Sequence, residues 1–125
     1  MATITEDYVS FEIAKLLKEK GFNEPTLAYA YSDDTIGYYS RPRVTDTFNV
    51  EAGRIPLPTI QMAMKWLREV HNIKVNVFYN NSNYAIEYFE SNTQTGVGKS
   101  VFIGDGYDVY EQACEVAIKY CLDLI

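Results

Sequence analysis

The apolar residues of this chain follow two different periods, and the order of the two periods limits the folds that the chain can adopt. In three segments the apolar residues recur every three or four positions, as they do on one face of an amphipathic helix. Between these segments they alternate with polar or small residues, which is the pattern of half-buried strands. A chain that switches repeatedly between the two periods is expected to have a mixed α+β fold.

Residues typical of helix ends flank the first and third helical segments. Thr3 followed by Glu6 can form a capping box, and Gly21 stands where a left-handed C-terminal residue is expected. Asp108 followed by Glu111 gives a second start signature, now for the last helix. The predicted helices cover residues 5–20, 60–71 and 108–125.

Two hairpins are predicted between the helices. In the first, residues 27–31 alternate between large and small side chains, and a Ser-Asp-Asp turn leads into residues 36–39. In the second, residues 73–78 and 84–89 flank a turn rich in Asn. Residues 101–103 are predicted to form a short return strand.

Residues 44–50 alternate more weakly, so either an edge strand or an ordered loop is predicted there. The element order is therefore helix, two or three strands, helix, three strands, helix. Strands joined by hairpins pair antiparallel, and helices separated by strands can cover one face of a sheet. The sequence predicts an α+β fold with three helices packed on one face of an antiparallel sheet. Because no linker divides the chain, we expect residues 1–125 to form a single domain.

The composition excludes several classes of protein. With 125 residues, 47% of them hydrophobic and 22% charged, the chain fits one globular domain and not a disordered chain or a disulfide scaffold. A net charge of −6 argues against a general affinity for nucleic acid or anionic membranes. No stretch has the length of a membrane span, and the first residues lack the pattern of a signal peptide. We therefore expect a cytoplasmic protein without a membrane partner.

Cysteine and histidine usage argues against thiol and metal chemistry. Cys114 and Cys121 lie seven positions apart in one predicted helix, a rise of about 10 Å that is too long for a disulfide. Buried free thiols are the expected state. With His71 as the single histidine, the chain offers neither a convincing Cys–His pair nor the ligands of a tetrahedral zinc site. No metal and no cofactor are predicted.

The segment around Lys99 resembles the end of a phosphate-binding loop. Gly96, Gly98, Lys99 and Ser100 have the expected spacing, but Thr93 stands where the first Gly of the motif is required. Strand-like residues follow in place of the helix whose N-terminus would bind the phosphate. A hairpin loop without nucleotide binding is predicted.

Tyrosine gives the chain its one positive functional signal. The chain has 11 Tyr, and Tyr29, Tyr31, Tyr38 and Tyr39 all fall in the first predicted hairpin. Because successive strand residues point to opposite faces, Tyr38 and Tyr39 cannot both face the core. Outward Tyr rings serve either as ordinary cross-strand pairs or as a surface for a protein partner or a second copy of the chain.

Three arginines flank the uncertain third strand. Arg41, Arg43 and Arg54 form the one concentrated basic feature of the sequence. Beside Tyr rings they could bind an acidic peptide or a nucleic acid strand, or they could pair with Asp46 and Glu51.

Two resemblances to known families accompany these patterns. The order helix, three strands, helix over residues 59–125 resembles a double-stranded-RNA-binding domain, which places Lys residues at the start of its last helix. Here that helix opens with Asp108 and Glu111, which would repel phosphates. The stretches ITEDYVSF, PTIQMAMKWLREVHN and AIKYCL resemble small proteins from mobile elements and phages of gut Bacteroidetes. That resemblance implies an origin and a cytoplasmic location, and it implies no mechanism.

The hypothesis that follows is a non-enzymatic protein-binding or accessory module that uses a Tyr-rich sheet face. One alternative is a small enzyme with a carboxylate-based site, although the acidic pairs Asp33-Asp34 and Asp105 with Asp108 fall in turns and no pair stands out. The other is a nucleic-acid binder that uses the three arginines. The predicted partner-binding residues are Tyr29, Tyr31, Tyr38, Tyr39, Arg41, Arg43 and Arg54.

Overall fold

The computed structural model describes residues 6–33, 35–43, 54–91 and 98–125. Within these ranges the chain has the predicted α+β class and the predicted element order, with a strand in the third strand position. The helices are α1 (Phe11–Glu19), α2 (Ile60–His71) and α3 (Tyr110–Asp123). The strands are β1 (Thr26–Ala30), β2 (Ile36–Arg43), β3 (Ile55–Leu57), β4 (Ile73–Asn80), β5 (Asn83–Ser91) and β6 (Gly98–Tyr107).

These six strands form two three-stranded antiparallel sheets rather than one. In the first sheet β1 lies between β2 and β3, so both of its edges are paired. In the second, β4, β5 and β6 follow one another as a meander. The chain divides into two compact units, Met1–Gln61 and Met62–Ile125, each of which contains one sheet. That residues 1–125 form a single domain stays a prediction.

Helix α1 begins later than its sequence predicts. The predicted start signature at Thr3 and Glu6 is wrong for this helix, because the N-cap is Ser10, whose hydroxyl accepts a hydrogen bond from the Ile13 N–H at 3.3 Å. Just before Ser10 the chain pairs with the segment that precedes α2: Tyr8 forms an antiparallel bridge with Thr59, and the Val9 N–H donates to the Pro58 carbonyl at 3.1 Å. Gly21, at the C-terminal end of the helix, has φ of +100°, as predicted.

Strand β1 buries its small residues and leaves its large ones outside. Thr26, Ala28 and Ala30 are buried, whereas Leu27 is exposed and Tyr29 is half-buried. The buried Thr26 hydroxyl donates to the Ala28 carbonyl at 2.8 Å, which satisfies the polar group inside the core. The small side chains therefore mark the packed face of this sheet.

The third strand was not predicted where it lies. The run at residues 44–50 is outside the described residues, and β3 falls at Ile55–Leu57, a segment that contains Pro56 and is followed by Pro58. Proline is tolerated there because, among the described strands, β3 lies at the edge of its sheet and pairs with β1. Helix α1 packs against β3, and all three residues of this strand are buried.

The second unit contains the longer hairpin. Helix α2 ends at His71, and Asn72 follows with φ of +56°, a left-handed conformation that Asn tolerates better than most residues. Strands β4 and β5 pair without interruption from Ile73 with Glu90 to Asn80 with Asn83. The return strand predicted at residues 101–103 is longer than expected, since β6 runs from Gly98 to Tyr107, and residues 92–97 lie outside the described residues.

Helix α3 packs across the second sheet. Ile86 of β5 and Ala113 and Ala117 of α3 are fully buried against one another. The predicted cap at Asp108 is wrong, because Val109 is the N-cap residue and supplies no side-chain hydrogen bond. The first turn of α3 is therefore held by packing and not by a capping side chain.

Of the helices within the described ranges, none combines the length and the apolar character that crossing a membrane requires.

Replacing Ile86 with Ala should destabilise the protein by about 3 kcal/mol, because the truncation leaves a cavity between β5 and α3. Phe102→Ala is the control, since Phe102 lies in the same sheet but is 58% exposed, and it should cost less than about 1 kcal/mol. Urea unfolding followed by circular dichroism measures both changes. Equal losses for the two variants would contradict this account of the core.

Candidate functional site

The register of the first sheet places four of the predicted residues on one face. Tyr29 is paired with Gly37 of β2 and with Pro56 of β3, so these three residues share a face. Continuing the β1–β3 pairing one residue past Ala30 and Ile55 brings Tyr31 level with Arg54. Tyr39 lies two residues beyond Gly37 and therefore points to the same side. We call Tyr29, Tyr31, Tyr39 and Arg54 the tyrosine cluster.

Arg54 lies at the centre of the tyrosine cluster. Its guanidinium carbon is 4.1 Å from the centroid of the Tyr29 ring and 5.6 Å from that of the Tyr31 ring. Its Nη2 donates a hydrogen bond to the Tyr31 hydroxyl at 2.9 Å. The bond to Tyr31, followed by a bond to the Tyr39 hydroxyl, raises the pKa of Arg54 above its ordinary value. The side chain is therefore a fixed cation held by aromatic rings and phenol oxygens.

The tyrosine rings also hold one another. The Tyr29 and Tyr31 rings meet edge to face, with centroids 5.7 Å apart and planes at 89°. The Tyr29 and Tyr39 rings are tilted by 47° with centroids 4.8 Å apart. Both distances fall in the favourable range for aromatic pairs. A ring with two such neighbours has few alternative rotamers, so the cluster is preorganised.

Gly37 creates the space that the Tyr29 ring occupies. A Cβ atom at this position would lie 2.3 Å from Tyr29 Cζ, closer than any real contact. An aromatic ring that covers a glycine on the neighbouring strand is a recognised way to stabilise a sheet with a glycine in it. Gly37 is thus a positioning residue that the sequence analysis did not single out, although its hairpin register opposite Tyr29 could have indicated it.

Arg54 has no acidic partner among the residues that the structure describes. It forms no ion pair there, and its Nε is buried without a hydrogen-bond acceptor. Asp46 and Glu51, which the sequence offered as partners, lie outside the described residues. Among the described residues the guanidinium bonds to phenol oxygens, which carry less negative charge than a carboxylate.

The other predicted residues do not join the tyrosine cluster. Tyr38 is level with Ala28, on the opposite face of the sheet, where it is 59% exposed and its ring lies 6.1 Å from that of Tyr8. Arg41 is exposed on β2. Arg43 ends β2 opposite Thr26, and its side chain lies outside the described part of the chain. The three arginines are therefore not shown to form a common basic patch.

The second sheet has an aromatic surface that the sequence analysis missed. On the face opposite α3, Phe89 is paired with Ser100 and Phe102 with Glu87, so the two exposed rings are diagonal neighbours. Polar groups on this face already have partners, since the Asn76 amide donates to the Glu87 carboxylate at 2.9 Å. Period-two alternation in β5 and β6 was the signal that could have indicated this surface.

The thiols lie where the sequence predicted them. Cys114 and Cys121 are free and buried in α3. Burial raises the pKa of the Cys114 thiol, and it raises the pKa of Cys121 from an ordinary 9.0 to about 12. Both thiols therefore stay protonated at neutral pH, which makes them poor nucleophiles.

Other predicted sites of chemistry are not assembled in the described residues. His71 contacts the Trp66 ring at a centroid distance of 4.7 Å. Asp33 accepts a hydrogen bond from the Thr35 N–H at 3.0 Å, and bonds from Thr35 lower the pKa of this carboxyl, the opposite of what a general acid needs. No group of three potential metal ligands occurs within the described ranges. Gly98, Lys99 and Ser100 lie in β6, so no helix follows them to bind a phosphate.

Comparisons of the chain with protein-family models, with curated proteins and with solved structures gave no match in any of the three. The resemblance to proteins of mobile elements and phages of gut Bacteroidetes stays a prediction.

Gly37→Ala should displace the Tyr29 ring and separate it from the Arg54 guanidinium, because the new methyl group occupies the position of the ring. The measurement is the NMR shift of the Arg54 Nε–H proton, which the ring current of Tyr29 perturbs. The matched control is Gly104→Ala, where a Cβ would lie an ordinary 3.4 Å from the Tyr107 hydroxyl. An Arg54 signal that stays unchanged in Gly37→Ala would show that the ring does not need this space.

The buried thiols should make stability fall at alkaline pH. The folded pKa of Cys121 is about 12 against an ordinary 9.0, so above about pH 9 the unfolded chain loses a proton that the folded chain keeps. The free energy of unfolding should therefore decline between about pH 9 and pH 12. Cys121→Ala should lessen this decline in urea unfolding at pH 8 and pH 10.5, and an identical decline in both proteins would contradict the assignment.

Proposed function

We propose that this protein is a non-enzymatic binding module whose tyrosine cluster contacts a partner protein. The observation that carries the proposal is a single one: Arg54 is held as a fixed cation on Tyr29 and Tyr31 and has no carboxylate partner among the described residues. A partner that brings a negatively charged acceptor would complement this cation.

The residue types of the tyrosine cluster suit a protein interface. Tyr and Arg are enriched among the residues that contribute most to binding energy, because each combines a large flat surface with hydrogen-bonding groups. The rings hold one another and Gly37 leaves room for one of them, so little side-chain entropy remains to be lost on binding. Preorganisation of this kind favours binding without adding any contact.

Nucleic acid fits the tyrosine cluster less well. A base needs an open aromatic face on which to stack, and the Tyr29 ring already stacks with the Arg54 guanidinium. A nucleic acid strand also needs several cations along its backbone, whereas the chain has a net charge of −6. The sequence alternative of a carboxylate-based enzyme has no described pair of acids to support it.

Two kinds of protein partner fit this proposal, a second copy of the chain and a different protein. A cytoplasmic location, supported by the free thiols of Cys114 and Cys121, belongs to the same proposal.

The test is comparative capture with matched variants. Immobilised wild-type protein and Arg68→Gln should retain the same partner from a lysate of the source cells, while Arg54→Gln and Tyr31→Phe should retain at least about fivefold less, a loss of about 1 kcal/mol or more. Arg68 is the control because it is an exposed arginine of α2, 4.0 Å from Glu69 and outside the tyrosine cluster. Size-exclusion chromatography with light scattering shows whether the partner is a second copy.

A partner retained equally by all four proteins would contradict the proposal. So would a chain that is monomeric at all concentrations and retains nothing.

A further inference from the structure

We propose that the partner presents a carboxylate to Arg54 and Tyr31, so that the tyrosine cluster recognises an acidic segment of a protein. This inference rests on the proposed function and names the chemistry of the group that occupies the site. Three observations on the first sheet support it.

The first observation is the charge of the site. Arg54 is half-buried, its Nε is already out of solvent, and it has no ion pair among the residues described. A partner that covers this face removes the remaining water from the guanidinium. Burial of a cation without a counter-charge is strongly unfavourable, so a partner that brings an anion is favoured over one that does not.

The second observation is the direction of the hydrogen bonds. The guanidinium has only donors, and the Tyr31 oxygen already accepts one of them at 2.9 Å. The Tyr31 hydroxyl keeps its own proton available for donation, because its oxygen is the acceptor in this bond. A site made of an O–H and of N–H groups complements an oxygen acceptor that carries negative charge, as a carboxylate does.

The third observation distinguishes an acidic peptide from a polyanion. The tyrosine cluster provides one cation, which balances one carboxylate and not a row of phosphates. Leu27, which lies two residues before Tyr29 on the same face, is 43% exposed. The site thus offers an apolar neighbour to a segment in which an acidic residue is flanked by apolar ones.

The experiment titrates the full-length protein with defined probes. The probes are the capped peptide Leu-Ser-Glu-Ser-Leu, the same peptide with Gln in place of Glu, and an eight-residue single-stranded oligothymidylate. The readouts are the NMR signals of the Arg54 Nε–H group and of the backbone amides of β1 and β2. We expect the Glu peptide to shift these signals in a saturable way and to bind at least tenfold more tightly than the Gln peptide.

Variants locate the effect. Arg54→Gln should abolish the preference for the Glu peptide over the Gln peptide, and Tyr31→Phe, which keeps the ring, should reduce it about threefold or more. Arg68→Gln should leave it unchanged. Tyr31→Phe keeps the test decisive if Arg54→Gln fails to fold, because only one hydroxyl is removed.

The inference is overturned if the two peptides bind equally, if neither binds, or if the oligothymidylate binds more tightly than the Glu peptide. Its failure is distinguishable from that of the proposed function. If a protein is captured in a way that depends on Arg54, but the chain does not prefer the Glu peptide over the Gln peptide, the inference of a carboxylate is wrong. The proposed function as a binding module then still stands.

Discussion

The alternation of small and large side chains along β1 is the constraint on which the first sheet depends. Thr26, Ala28 and Ala30 occupy the packed face, so the large residues that alternate with them must stand on the other side. This side receives Tyr29 and Tyr31, and the antiparallel register then brings Arg54 from the end of β3 to the same place. The tyrosine cluster is thus a direct consequence of which residues in β1 are small.

In both sheets an aromatic ring lies over a glycine of the neighbouring strand, but the cations beside the two rings differ in exposure. In the first, the Tyr29 ring occupies the space that Gly37 leaves, and in the second the Phe89 ring occupies the space that Gly98 leaves. Phe89 has a cation near it as well, but that cation, Lys74, is exposed, and its Nζ lies 5.8 Å from the ring centroid. A solvated ammonium group loses little interaction energy if the neighbouring ring moves, because water still surrounds it. A guanidinium that lies over a ring and has a buried Nε depends on that ring for its position. Of the two cations described beside these rings, Arg54 in the first sheet is therefore the one that gains more from a partner with a negative charge.

Much of the fold could be predicted from the sequence because the type of each helix and strand depends on residues close together in the chain. Apolar periodicity gave the element types and their order, and Gly21 marked the end of α1 correctly because few other residues adopt its positive φ. The errors fall where a distant contact outweighs a local preference. Pairing of residues 7–9 with the segment before α2 moved the start of α1 to Ser10, and packing against the second sheet made a capping Asp108 unnecessary.

The candidate site was predictable in its residue types but not in its grouping. Tyr29, Tyr31, Tyr39 and Arg54 could be named from composition and alternation, yet nothing local separates Tyr38 from Tyr39, or Arg54 from Arg41. The separation comes from register: Tyr38 is level with Ala28, whereas Tyr39 follows Gly37 on the other face. The place of Arg54 comes from the pairing of β3 with β1, and β3 was not predicted because its three residues include Pro56, and proline is rare within a sheet.

The choice of arginine at position 54 connects the fold with the proposed chemistry. A guanidinium can stack its plane on Tyr29 and still donate in that plane to Tyr31, whereas an ammonium is more strongly hydrated and cannot do both. The net charge of −6 opposes the approach of an acidic partner, but at physiological ionic strength this repulsion is screened beyond about 8 Å. Contact chemistry at Arg54 would then decide which partners bind, because long-range attraction contributes nothing to the choice. A site of this kind selects by its fixed geometry, and that geometry is what the rings and Gly37 maintain.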